Sequence, residues 1–194
     1  EIFTYSFNCE AYVGVSDYSF VKKIVSKCTK SSGLAVNTTG DGRCLWHAIS
    51  LCIFGNEEFT HLLKIATVYL MLQCEPFFTQ VLLQQDRDVS FDKLVERNAC
   101  NDVFGDNFSI MALSILIGRP IYSFTPYGSL VSNQCLNEEE LLRFPVKIFL
   151  YNFHFSAILP FNRFVNTGDI PLTINGLKLR TSIKRKIEEV DEVL

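Results

Sequence analysis

The apolar positions of this chain change period several times, and each change predicts an element. Gly33-Leu34-Ala35-Val36 is a short unbroken apolar run that reads as a strand or an extended approach. From Cys44 the apolar residues fall at 45, 48, 49, 52 and 53, a helical stripe, and Gly55 is a natural stop for it. Asn56 can cap a second helix running to Leu72, with Glu57 and Glu58 in the first turn, where the helix dipole favours acid. Pro76 opens a third helix, to about Gln85, and Ser90 caps a fourth from Phe91 to Asn98. Asp106 or Asn107 caps the helix over residues 108–117, which Gly118 ends. Residues 120–125 follow as a strand closed by a Pro126-Tyr127-Gly128 turn, and Asn137 with Glu140 forms a capping box for a short helix before Pro145. Residues 146–150 and 155–159 read as two strands placed to pair antiparallel.

Together these elements predict one α/β domain: a small sheet near the C-terminal half, packed between helices. Residues 1–33, with aromatic alternation near their start and a helix over 18–28, read as an N-terminal extension packing on the core. Residues 34–160 form that core, and 161–194 are a C-terminal extension, partly helical. With 194 residues the chain is long enough for one well-buried domain and too short for two large ones.

Composition narrows the class. Apolar residues at 48 % and charged residues at 20 % are globular proportions, and 17 phenylalanines predict a bulky aromatic core. A net charge of −3 argues against a nucleic-acid binder. The basic stretch over 178–186 runs straight into Glu188, Glu189, Asp191 and Glu192, which reads as a solvated helix of mixed charge. Seven cysteines without a CxxC pair predict reduced core residues, no metal site and no cofactor. The longest apolar stretch, 108–118, is too short to span a bilayer, no signal peptide is visible, and the expected location is cytoplasmic or also nuclear.

The chemistry concentrates in Gly40-Asp41-Gly42-Arg43-Cys44-Leu45-Trp46-His47. A turn with two glycines delivers Cys44 to the first turn of a helix, where unpaired N–H groups and the dipole favour thiolate. The glycines also free backbone N–H groups to converge on one spot, as an oxyanion hole requires. His154, in a late β-like segment, is the candidate base, so the chain holds the parts of a cysteine hydrolase. His47, three residues beyond Cys44, is expected to pack or support rather than act as the base, and His61 is expected to be an ordinary surface or core residue.

At these residues the chain resembles the ovarian-tumour (OTU) cysteine proteases, whose signature is Gly-Asp-Gly-x-Cys-Leu followed by an aromatic and a small residue. Two further blocks are similar to that family: residues 106–125, a helix-then-strand segment, and Phe153-His154-Phe155-Ser156, the terminal His-aromatic-polar motif. The central block also resembles the OTU-type domains of vertnin-like proteins and of mobile elements. The resemblance covers residues 34–160. It implies the OTU fold and a deubiquitinase that cleaves after the C-terminal glycine of ubiquitin. Cys44 would be the nucleophile and His154 the base, and the backbone at Asp41, Gly42, Arg43 and Cys44 would form the oxyanion loop, with Asp41 holding the loop's shape. Ubiquitin or polyubiquitin would be the substrate, with a ubiquitin-like modifier or a non-cutting binding module as the alternatives.

The family commonly has Asn or Asp two residues after the histidine, where this chain has Ser156. Residues i and i+2 of a strand share a face, so Ser156 and Asn152 both qualify to orient the imidazole, with Asn152 slightly ahead. A carboxylate from upstream, Glu10 or Asp17, is the third option. Glu57, Glu58, Asp86 and Asp88 could attract a basic tail but are expected to be solvated.

Overall fold

The computed structural model describes residues 33–160 apart from 86–88, 101, 102 and 134. The expected N-terminal extension up to residue 32, the C-terminal extension over 161–194, the helix expected over 18–28, Glu10, Asp17, Asp86 and Asp88 lie outside the described residues, and Gly33 belongs to the first strand. Eleven elements follow in the order β1 (Gly33–Val36), α1 (Cys44–Phe54), α2 (Thr60–Gln73), α3 (Glu75–Gln84), α4 (Phe91–Ala99), α5 (Asn107–Ile117), β2 (Ile121–Thr125), β3 (Gly128–Ser132), α6 (Glu138–Leu141), β4 (Val146–Tyr151) and β5 (His154–Pro160). The strands form a single sheet in the order β1-β5-β4-β2-β3. All neighbours are antiparallel except β2 and β4. This is the mixed α+β architecture that the periodicity predicts.

Helix α1 is the centre of the molecule. Every residue from Cys44 to Ile53 is buried, the condition of a helix enclosed on all sides. Leu45, Ile49 and Ile53 of α1 share one core with Phe155, Ala157 and Leu159 of β5 and Ile148 of β4. Phe155, Ala157 and Leu159 alternate along β5 with Ile158, which lies in a separate cluster with Phe124 and Phe149. A second core, including Met71, Phe78, Leu94 and Phe108, joins α2 to α5. Trp46 is fully buried, donates its indole N–H to Thr67 Oγ1 at 3.1 Å and lies under the Lys64 ammonium.

Local signals behave as the chemistry dictates. Gly55 ends α1 in the left-handed region at φ 80°, with its N–H on the Leu51 carbonyl. Ser90 caps α4, and Asp106 and Asn137 form capping boxes with Ser109 and Glu140. Three expectations need correction. Helix α2 begins at Thr60 rather than at Asn56, because the Asn56 side chain accepts from the Glu58 N–H and makes a turn there instead. The edge strand β3 was not expected, because Gly-Ser-Leu-Val-Ser is mostly exposed and lacks a clean apolar alternation. Asn152 and Phe153 do not continue a strand into His154; at φ 49° and 59° they are the left-handed turn joining β4 to β5. Among the described residues no helix is long and apolar enough to cross a membrane.

Candidate active site

The N-terminus of α1 points its first residue at the start of β5. The sulfur of Cys44 accepts from the Phe155 N–H at 3.5 Å. Phe155 follows His154, so the sulfur lies within about 6 Å of the His154 Cα. The two residues that the sequence singles out therefore occupy one corner of the fold. Their side chains are not hydrogen-bonded to each other. The ring of His154 lies against Gly40, whose position would bring a Cβ to 3.9 Å from Cε1.

The partner of the ring is Thr38. β1 runs antiparallel to β5, and extending the register Val36↔Ala157 by two residues puts Thr38 opposite Phe155. From there the Thr38 hydroxyl donates to the Phe155 carbonyl at 2.6 Å and meets His154 Nε2 at 3.2 Å. A hydroxyl has one proton. With that proton on the carbonyl, Thr38 accepts from Nε2–H, which fixes the tautomer and leaves Nδ1 bare.

Neither sequence candidate for this orienting role reaches the ring. Asn152 is exposed in the hairpin turn, off the strand that would have carried it onto the face of His154. Ser156 does share that face, opposite Phe149 of β4, but two strand residues span about 6.6 Å, beyond a serine hydroxyl's reach. No single-residue signal marks Thr38; only the pairing of β1 with β5 reveals it.

Burial governs both titrating groups. It pushes the Cys44 thiol up from its ordinary value, outweighing the N–H groups of Phe155, Leu45 and Cys44 itself, with the Asp41 charge adding to the rise. The N–H groups at the helix start pull the thiol down, but burial wins because Cys44 is only 1 % exposed. Burial also pushes His154 down from its ordinary value, against the opposing effects of Thr38 and Glu57. The resting pair is thus a neutral thiol beside a neutral imidazole.

The turn before Cys44 is held by its own side chains. Gly42 takes φ 85°, a left-handed position that favours glycine. Asp41 Oδ1 accepts the Arg43 N–H at 3.0 Å, and Asp41 Oδ2 pairs with the Arg43 guanidinium. Burial would raise the Asp41 carboxyl, but the hydrogen bonds from Arg43 and His47 hold it well below the usual carboxylate range. Because its N–H is already committed, Arg43 drops out of the expected donor loop, leaving those of Asp41, Gly42 and Cys44.

His47 extends this arrangement. Its Nε2 meets Asp41 Oδ1 at 3.1 Å, and its Nδ1 meets Glu57 Oε2 and Thr60 Oγ1, each at 2.9 Å. Glu57, expected to be solvated, also accepts from the N–H and hydroxyl of Thr39. Among the described residues no group of three or more His, Cys, Asp or Glu is placed to hold a metal ion. His61 is exposed, Cys52, Cys74 and Cys135 are buried thiols, and Cys100 is an exposed thiol.

A cavity of about 520 Å³ is lined by Phe155, the 105–107 segment and the β2–β3 hairpin, with Leu150 and Tyr127 in its wall.

The chain matches the family described as "Vertnin, OTU domain" over residues 35–95, from β1 into α4. No curated protein matches it. Among solved structures it is similar to the OTU domain of OTUD1, at 17 % identity and a TM-score of 0.59, over 72 % of this chain and 93 % of that one. It is also similar to an ovarian-tumour domain in complex with ubiquitin, at 15 % identity and a TM-score of 0.55, over 83 % and 86 % of the two chains. A third is the Hazara virus OTU bound to ubiquitin, at 15 % identity and a TM-score of 0.52, over 65 % and 80 %. The fold is that of an OTU domain. The family match over residues 35–95 falls within that fold, from β1 into α4.

Proposed function

We propose that this chain is a thiol-dependent ubiquitin hydrolase, cleaving the isopeptide or peptide bond after the C-terminal glycine of ubiquitin. The observation that carries the reading is the convergence of Cys44 and a His154 ring held by Thr38 at one corner of the fold. Two structural neighbours, OTU domains bound to ubiquitin, support ubiquitin as the partner. The cavity beside Phe155 offers room for an extended tail, and its 105–107 wall begins with a glycine.

In this reaction Cys44 leaves the Phe155 N–H and gives its proton to Nδ1 of His154 as the sulfur attacks the glycine carbonyl. The developing oxyanion is met by N–H groups of the 41–44 turn. The imidazolium then protonates the leaving amine, and a thioester remains on Cys44. His154 next takes a proton from water as its oxygen attacks the thioester carbonyl; the C–S bond then breaks, the carboxylate is released, and the proton passes from the imidazolium to the sulfur to restore the thiol. Thr38 holds Nε2–H throughout, so that Nδ1 is the nitrogen that exchanges protons. The thiol state of the cysteines among the described residues suits a reducing compartment, cytoplasm or nucleus, for this enzyme.

Burial of the thiol favours a second reading, an OTU domain that grips ubiquitin or a ubiquitin-like modifier without cutting. Incubation with di-ubiquitins and modifier fusions decides between them. Turnover that vanishes in Cys44→Ala supports the hydrolase, and binding with no turnover of any substrate supports the gripping domain.

A further inference from the structure

Both ring nitrogens of His47 face acceptors. Asp41 Oδ1 stands at Nε2, and Glu57 Oε2 and Thr60 Oγ1 stand at Nδ1. The Thr60 hydroxyl proton is already spent on the Glu57 carbonyl at 2.7 Å, so Thr60 can only accept from His47. Each nitrogen therefore needs a proton, and the ring is an imidazolium held between two carboxylates. His47 is 7 % exposed, so the charge is little screened by water.

The position of this cation matters more than its charge. Through Asp41 it holds the turn that carries the candidate oxyanion donors. Through Glu57 it holds Thr39, next to Thr38 and its contact with His154. We infer that His47 is a positioning residue whose protonated ring locks the 41–44 turn and the 38–39 segment into one rigid unit, so that its deprotonation loosens both halves of the site together. The charged and titratable groups acting on it are Asp41 from the turn and Glu57 from the segment before α2, with the His154 ring of β5 close enough to feel its charge.

Burial alone would lower His47, and the hydrogen bonds and charges of Glu57 and Asp41 override this and raise it. Its sign is therefore opposite to that of His154. The stabilisation it confers is complete below its ordinary value of 6.5 and is lost as pH rises through the higher folded value.

The catalytic consequence rests on the proposed hydrolase, but the protonation state does not. The direct test is an NMR titration of the His47 Cε1–H in the whole chain, assigned by its disappearance in His47→Gln. A midpoint above 6.5 that falls in Glu57→Gln supports the inference. A midpoint at or below 6.5, or one indifferent to Glu57→Gln, overturns it. Should His47→Gln fail to fold, the same signal is assigned by its response to Asp41→Asn.

In ubiquitin hydrolysis, His47→Gln is expected to lower kcat roughly 10- to 100-fold with little change in KM. His47→Arg, which keeps a cation, should recover part of the loss and weaken the alkaline fall in rate. Wild-type kcat and pH profile in His47→Gln would overturn the positioning role. If the wild type cleaves no ubiquitin substrate the hydrolase reading fails by itself, and the titration still decides the state of His47.

Discussion

Thr38 and His154, 116 residues apart in sequence, share a 3.2 Å hydrogen bond whose direction is set by a third group. The Phe155 carbonyl takes the threonine proton, so the ring must donate. In the proposed hydrolase this pair would take the orienting role expected of an Asn or Asp two residues after the histidine, using a hydroxyl from the loop that follows β1.

Thr38→Val keeps the shape and removes the acceptor. It is expected to lower kcat roughly 10- to 100-fold while leaving KM nearly unchanged, because tautomer control acts on the chemical step. Asn152→Ala and Ser156→Ala should stay near wild type. Steady-state hydrolysis of a fluorogenic ubiquitin substrate by the three variants checks this, and a larger loss in Ser156→Ala than in Thr38→Val would contradict it.

The neutral resting pair predicts a specific pH profile. Activity requires bare Nδ1, so kcat/KM should rise through a midpoint below the ordinary histidine value of 6.5, since burial lowers His154. Stability has the same sign: the unfolded chain takes that proton first, so folding weakens as pH falls from 6.5 through the lower folded value. Thermal melts across pH should show this acid-side loss reduced in His154→Gln. A rate limb centred above 6.5 would contradict the assignment.

How much of this was legible in the sequence depends on range. Caps, helix stops and the placement of Cys44 at the start of α1 are local, and Gly55, Ser90, Asp106 and Asn137 announced them correctly. The closeness of His154 to Cys44 was legible because few histidines competed for a place beside the thiol. Thr38 was not, since a threonine in a loop has no distinguishing chemistry until strand register places it against a ring. Asn152 misled because the sequence alone could not show that β4 turns at 152–153. Glu57 looked solvated because its partner, His47, sits on a different element.

Gly105 packs against the residue after Cys44. A Cβ there would stand 2.2 Å from Leu45 Cδ2 and 3.0 Å from its Cβ, a contact that a fully buried leucine cannot easily yield. Gly105→Ala is expected to cost about 1–3 kcal/mol in urea denaturation. An unchanged midpoint would show that α1 shifts freely beside the site.

Phe153 is exposed and holds φ 59°, a left-handed position costing roughly 1–2 kcal/mol for a residue with a side chain. Phe153→Gly should raise stability by up to about 1 kcal/mol, the remainder being offset by chain entropy. A lower urea midpoint in this variant would mean that the aromatic ring makes a stabilising contact.

The account depends most on sulfur chemistry at Cys44 enabled by His154. Ubiquitin carrying a C-terminal electrophile, incubated with the chain and mapped by peptide mass spectrometry, tests it most directly. The expected result is one covalent adduct on Cys44, absent in Cys44→Ala and formed far more slowly in His154→Ala. No adduct on the folded wild-type chain, or an adduct on another cysteine that survives Cys44→Ala, would contradict it.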